Sequence, residues 1–166
     1  MPTSTQTTDP EIPPFERFYL AHRDDVLRYL RRLLGDRAED AWQETFLRAL
    51  RAYDRLEHGR HLRAWAFTIA TRVAMDELRA RGQVRNTVLQ AEAVAAAAEL
   101  RRPAYRELEP FTDGLPPTER AAVVLRYGYD LAYAQIADAL GSSEEAARAA
   151  ASSGVRRLRR THDRLA

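Results

Sequence analysis

The sequence predicts an all-α fold: two small helical domains joined by a linker. Three observations carry this. Apolar residues recur at helical spacing from Phe15 to Arg81 and again from Leu115 to Arg160, and no stretch alternates as a strand would. A Pro- and Ala-rich stretch with few large anchors separates the two blocks. The length, 166 residues with 45% hydrophobic, suits one domain or two small ones with a real core. The expected division is a flexible lead at 1–14, a first bundle at 15–82, a linker at 83–114 and a second bundle at 115–166.

The lead, MPTSTQTTDPEIPP, is rich in Pro and Thr. A first helix follows from Phe15, carried by Phe18, Tyr19, Val26, Leu27, Leu30, Leu33 and Leu34, with a break expected near His22. Gly35 reads as its stop. Asp36 then reads as an N-cap, with Glu39 three residues on completing a capping box. The second helix is expected to run to about Glu57, with Trp42, Phe46, Ala49, Leu50 and Tyr53 as its core stripe. HGRH is a short loop.

The third helix, Leu62–Arg81, holds no Gly or Pro. Leu62, Trp65, Ala66, Ile69 and Val73 form one apolar stripe at about 100° per residue. Phe67, Ala74 and Leu78 form a second stripe roughly opposite. Between them runs an edge of Trp65, Thr68, Arg72, Asp76 and Arg79. A surface helix of a lone domain needs one apolar face, so this one must touch something on its other sides.

After the linker, whose AEAVAAAAELRR run reads as helical, Pro116 and Pro117 set a helix start. The segment from Ala132 then has the shape of a helix-turn-helix. Tyr133, Ile136, Ala137 and Leu140 face inward, and Gly141 supplies the turn. Ser142 or Ser143 caps the next helix, with Glu145 able to complete a box from Ser142.

Composition narrows the chemistry. All 26 basic residues are Arg, and the formal net charge is only +2. Arg suits phosphate forks and base stacking, but global charge alone does not decide for nucleic acid. Without cysteine there are no disulfides, thiol catalysis or cysteine-based zinc sites. No apolar run approaches the ~18 residues of a membrane span, and Met1–Pro14 lacks a signal-peptide core, so a soluble cytoplasmic protein is expected. His22, His58, His61 and His162 are scattered, and Asp24–Asp25 and Glu39–Asp40 are adjacent pairs that point to different helix faces. With no Gly-rich phosphate loop or nucleophile elbow, neither enzyme activity nor a cofactor is expected.

Two motifs point one way. GDRAEDAWQETFLRAL followed by LRAWAFTIATRVAMDELRAR resembles region 2 of bacterial RNA polymerase sigma factors, nearest the extracytoplasmic-function (ECF) group. LPPTERAAVVLRYGYDLAYAQIADALG resembles their region 4. The resemblance covers roughly Phe15 to Arg160.

The resemblance implies a role for each surface. Asp36, Glu39, Asp40, Gln43, Glu44 and Leu47 match the family's contact with the coiled coil of the polymerase β′ subunit. The residues agree: the inward stripe of helix 2 leaves Asp40, Gln43, Glu44 and Leu47 on the opposite side, an acidic row suited to a basic partner helix. The third helix matches the one that faces the −10 promoter element. Trp65, Thr68, Arg72, Asp76 and Arg79 would then face unpaired bases, with Arg60 and Arg63 near phosphates. Core packing of Trp65 is the competing assignment. Arg72 stands where the family often has Asn.

Region 4 implies −35 contacts from Ser142, Ser143, Arg148, Ser152, Ser153 and Arg156. Here the match weakens. Family members follow the turn with a run such as GTVKSRLHRAR; this chain has EAARAAASSGV. If Ala147, Ala151, Gly154 and Leu158 point inward, the outward set is Arg148, Ala149, Ser152 and Ser153, with one cation. Glu144 and Glu145 suit the helix dipole but repel phosphate. Unaided −35 binding should be weak, with the polymerase β flap or an anti-sigma factor as further partners of this half. The expected function is an ECF-type sigma factor that binds core polymerase and assists −10 melting. The alternatives are a DNA-binding regulator that works without polymerase and a protein-interaction decoy.

Overall fold

A computed structural model of the chain describes residues 10–87, 112 and 114–164. Six α-helices are described: α1 Phe15–Leu34, α2 Ala38–Tyr53, α3 Leu62–Thr87, α4 Pro117–Val123, α5 Tyr133–Leu140 and α6 Glu144–Asp163. No strand occurs among the described residues.

Helix α1 runs unbroken past His22. Pro14 begins it, its carbonyl accepting from Arg17 N–H at 2.9 Å, and its buried face is Phe18, Val26, Tyr29, Leu30, Leu33 and Leu34. Nothing at His22 opposes the helix, because the ring stacks beside Phe18, 5.1 Å between centroids. Gly35 ends α1 with φ +59°, and its N–H bonds Arg31 O.

The capping box expected at Asp36 does not form. Gly35–Arg37 make one tight 3₁₀ turn, α2 begins at Ala38, and no side chain caps it. The tight turn carries Asp36 into the helical path, where it has left the extended backbone that an N-cap needs. Helix α2 stops at Tyr53, short of Glu57. Leu50, expected in the core stripe, is 51% exposed. Phe46, Ala49 and Tyr53 fill the α1–α2 seam, and Leu50 lies one residue beyond it.

The end of the expected lead is docked. Ile12 packs against the core, Tyr53 OH donates to Pro13 O at 2.6 Å, and Gly59 N–H donates to Pro10 O at 2.9 Å. A side chain at position 59 would strike this strap, since a Cβ there would lie 2.6 Å from Glu11 O. Residues 1–9 lie outside the described ones. So does most of the expected linker, including its Ala-rich run. What is described of it differs: α3 continues through Gly82 to Thr87 rather than ending at Arg81.

In the second bundle, α4 starts with Pro117 in its first turn and widens into a π turn over Val124–Gly128. Leu131 N–H then returns to Leu125 O at 3.0 Å. Gly141, at φ +63°, closes α5, and Ser142 N–H bonds Ala137 O at 3.0 Å. Ser143 Oγ accepts from Ala146 N–H at 3.1 Å. Ser143 is therefore the N-cap of α6, and no box forms from Ser142 to Glu145, because Ser142 Oγ turns to Ser143 O.

Helices α4 and α6 pack closely because the contact stripe of α6 is small: Ala147, Ala151 and Gly154 are all buried. A Cβ on Gly154 would lie 2.5 Å from Val123 Cγ2 and 3.3 Å from Glu119 O. Val123 is β-branched and stiff, so it yields poorly. Gly154→Ala should therefore destabilise the second bundle by about 1–3 kcal/mol despite the better helix propensity of Ala. A lowered thermal unfolding midpoint, with helicity kept at low temperature, is the expected reading.

Candidate functional site

Helix α3 answers the question its sequence raises. Its first stripe closes the bundle of α1 and α2: Trp65 lies 5.5 Å from Phe18 and 6.2 Å from Tyr53, ring to ring. Its second stripe is covered by both bundles at once. Phe67, fully buried, meets Tyr29 of α1 edge-on at 5.3 Å and Tyr129 of the second bundle at 4.6 Å. Tyr29 is itself buried, and its hydroxyl and Thr71 Oγ1 lie 2.7 Å apart. Thr71 gives its proton to Phe67 O, also at 2.7 Å, so Tyr29 donates to Thr71. Burial raises the Tyr29 pKa, and the phenol stays neutral as a donor.

The sequence-predicted docking row lies on α2. Asp36, Glu39, Asp40 and Gln43 are exposed, and Leu47 is 48% exposed. Glu39 reaches Arg31 at 3.7 Å. Glu44 is half-buried and accepts from Arg48 Nε at 2.6 Å; this bond, with Asp76, raises the guanidinium pKa against the opposing effect of burial. Arg48 also reaches Asp76 at 3.5 Å, and Asp76 accepts from Arg79 at 2.8 Å. An unbroken charge network thus joins the row on α2 to the edge on α3.

On that edge Arg60, Arg63, Arg72, Asp76 and Arg79 are exposed, while Trp65 and Thr68 are half-buried. Trp65 belongs to the aromatic core, as the competing assignment had it; the first turn of α3 points it at Phe18. Arg63 and Arg72 do not point free into solvent. Arg63 donates to Tyr129 O at 2.7 Å and lies 5.5 Å from the Phe67 and Tyr129 rings. Arg72 donates to Asp138 O at 3.2 Å.

On the recognition helix α6, Ser142, Ser143, Arg148, Ser152 and Arg156 are exposed. Ser153 is not part of the outward set. It is half-buried and donates to Glu119 at 2.8 Å, because the glycine beside it brings α4 close enough to reach. Arg148 pairs with Glu144 at 3.1 Å and stacks over Tyr133 at 4.5 Å; Arg126 covers the same ring at 4.6 Å. Among the described residues no group of three or more His, Cys, Asp or Glu could hold a metal, and no helix is long and apolar enough to cross a membrane.

These surfaces have known counterparts. Sigma-70 region 2 matches residues 18–84, and Sigma-70 region 4 matches residues 113–160. The RNA polymerase sigma factor CarQ of Myxococcus xanthus is 33% identical over 151 residues, covering 87% of each chain. The chain belongs to the ECF group of RNA polymerase sigma factors.

The ECF RNA polymerase sigma factor SigE of Mycolicibacterium smegmatis is 33% identical over 140 residues, 78% of this sigma factor but 54% of that one. The sigma factor thus spans about half the length of that relative. A solved neighbour is the sigma factor RpoE of Bartonella quintana in complex with the anti-sigma factor NepR: TM-score 0.69, 22% identity, 88% of this sigma factor and 94% of that chain. Another is CnrH in complex with the cytosolic domain of CnrY, with TM-score 0.65, 21% identity and coverages of 92% and 89%. At such identities the likeness is one of fold.

Sequence reasoning missed Tyr129, Tyr29 and Arg48. The second stripe of α3, read as buried against the first helix or the linker, was the one signal for the first two. Arg48 sits four residues after Glu44, a helical ion-pair spacing that was there to be read.

His22, beside this aromatic cluster, gives a pH test. Burial, then Arg63, lower its pKa from the ordinary 6.5, partly offset by Asp25. The unfolded chain therefore takes up the proton first as pH falls. The stabilising contribution is present above 6.5 and is lost as pH drops through 6.5 toward the folded value. Urea midpoints should decline over that window, and His22→Gln should flatten this part of the slope.

Proposed function

We propose that this sigma factor binds core RNA polymerase, directs it to promoters and helps to open the −10 element. The observation that supports this best is the pairing of two surfaces on one rigid bundle. The exposed acidic face of α2 with Leu47 suits a basic helical partner, the polymerase β′ coiled coil. One helix away, the α3 edge offers Arg60, Arg63, Arg72 and Arg79 for phosphates and base edges.

Trp65 and Thr68 act beneath that edge rather than on it. Asp76 orders Arg48 and Arg79 between the two surfaces. The second bundle recognises the −35 element weakly, through Arg148, Ser152 and Arg156, with Ser142 and Ser143 at the helix start near phosphate. Ser153 supports α6 from behind.

The β flap and an anti-sigma factor are further partners; the second is supported by a neighbour solved with the anti-sigma factor NepR. Work at promoters places the chain in the cytoplasm, at the nucleoid through polymerase. It contributes no catalytic step of its own.

The test is the triple change Asp40→Ala, Gln43→Ala, Glu44→Ala. Association with core polymerase should fall at least about tenfold, the loss of roughly 1.4 kcal/mol or more. Helicity should stay unchanged, since none of the three side chains fills the core. Undiminished run-off transcription by the triple variant would show that the interface lies elsewhere.

A further inference from the structure

The second bundle carries a basic cleft that none of the surfaces above uses. Arg157, Arg160, Thr161 and Arg164 line it from the end of α6, and Gly114 lines it from the turn that leads into α4. Its volume is about 310 Å³, at the small end of the range for ligand sites. The four residues stand at i, i+3, i+4 and i+7, so they share one side of the helix.

That side is not the recognition face. At about 100° per residue, the four side chains lie roughly 120–180° round the helix from Arg148. Arg159, in contrast, falls almost in line with Arg148. Duplex DNA on the recognition face would leave the cleft open.

Helix α4 holds the cleft in shape. Arg157 Nε lies 2.9 Å from Glu119 Oε2, and Ser153 donates to Glu119 Oε1 at 2.8 Å. The Glu119 carboxylate is only 15% exposed, and both its oxygens are engaged, so Arg157 is fixed at the wall. Thr161 Oγ1 donates to Arg157 O at 3.1 Å, a local bond it can exchange for a ligand oxygen. Arg160 and Arg164 are exposed and make no ion pair with a described residue.

Three guanidiniums and a hydroxyl round one cleft suit an anion with several oxygens. Among the described residues the lining holds no aromatic or aliphatic side chain for a base or an acyl chain. A single phosphate meets part of this charge, whereas linked phosphates meet it in full.

We propose that the cleft binds a diphosphate or triphosphate group and so ties the end of α6 to the entrance of α4. The ligand is either the free inorganic anion or the phosphate chain of a nucleotide, since both present the same oxygens. The site is independent of the −10 and −35 roles given above.

Calorimetric titration of the full chain with inorganic diphosphate, in buffer free of divalent metal, reads the site. One ligand per chain is expected, with a thermal unfolding midpoint that climbs as the ligand is added. Arg160→Gln with Arg164→Gln should weaken binding at least about tenfold, the order expected for lost charge-assisted bonds. Both side chains are exposed, so helicity by circular dichroism should not change. Arg156→Gln with Arg159→Gln removes the same charge from the other side of α6. Screening should limit its effect to less than about twofold.

An equal loss in both pairs would reveal a diffuse basic field and overturn the proposal, as would the absence of saturable heat. Duplex DNA affinity that falls with the first pair as far as diphosphate affinity does assigns the cleft to a nucleic-acid backbone, and this too overturns it. A nucleoside diphosphate separates the two sources. Binding no tighter than that of the inorganic anion identifies the free anion as ligand; tighter binding, with the same dependence on Arg160 and Arg164, identifies a nucleotide.

Discussion

The burial of α3 on two opposite faces is the constraint on which the rest depends. A helix with one apolar stripe completes one bundle and turns a charged back to water. This one places Trp65, Ala66 and Val73 toward α1 and α2, and Phe67 toward Tyr29 and Tyr129. The consequence is that its polar edge is narrow and sits at the seam between two bundles. Any ligand of that edge must contend with the second bundle. The charge chemistry of Arg63 and Arg72 is thereby coupled to how the two halves of the chain are arranged.

The aromatic cluster gives this arrangement a definite energy scale. Ring pairs of the Phe67–Tyr129 kind contribute about 0.5–1.5 kcal/mol beyond area burial. Each net hydrogen bond adds about 0.5–1.5 kcal/mol, and those to guanidinium about 1.5–3 kcal/mol. Arg63 and Arg72 are exposed, so solvent screening cuts their share well below those figures. The Tyr29–Thr71–Phe67 hydrogen-bond chain belongs to the other category. It is buried inside the first bundle, and breaking it would leave polar atoms without water. The first bundle is thus held by buried polar contacts, whereas the guanidinium contacts between the bundles are exposed.

Much of this was legible in the sequence, because it was local. The order of helices, the left-handed glycines at 35 and 141, the Pro start at 117 and the acidic face of α2 all follow from spacing and residue type. The failures have a common cause. Whether Asp36 caps α2 depended on how tightly Gly35 turns, and whether Leu50 is inside depended on the width of the α1–α2 seam. Ser153 sits one residue from a glycine that lets a neighbouring helix within reach, so its direction was set by α4. Tyr129 lies in a break between helices, where periodicity carries no signal at all. Its partners at 25, 29, 63 and 67 are far away in sequence, and no pattern along the chain names them.

The bare recognition helix fits this picture better than it fits a free-standing DNA reader. With Ser153 turned inward, α6 keeps one cation on its upper face, and that cation is half neutralised by Glu144 and stacked on Tyr133. Stacking fixes the Arg148 rotamer, which lowers the ordering cost of a contact. It adds no further charge, and the first half of the helix, with Arg148 as its one cation, gains little affinity by counterion release. Such a bundle holds duplex DNA only when something else supplies the proximity. In the proposed function polymerase holds both halves, and a weak −35 contact would then suffice, because tethering replaces the missing charge. Under that function the sparse charge at the start of α6 and the carbonyl-bound Arg63 and Arg72 on α3 both leave promoter binding to depend on polymerase.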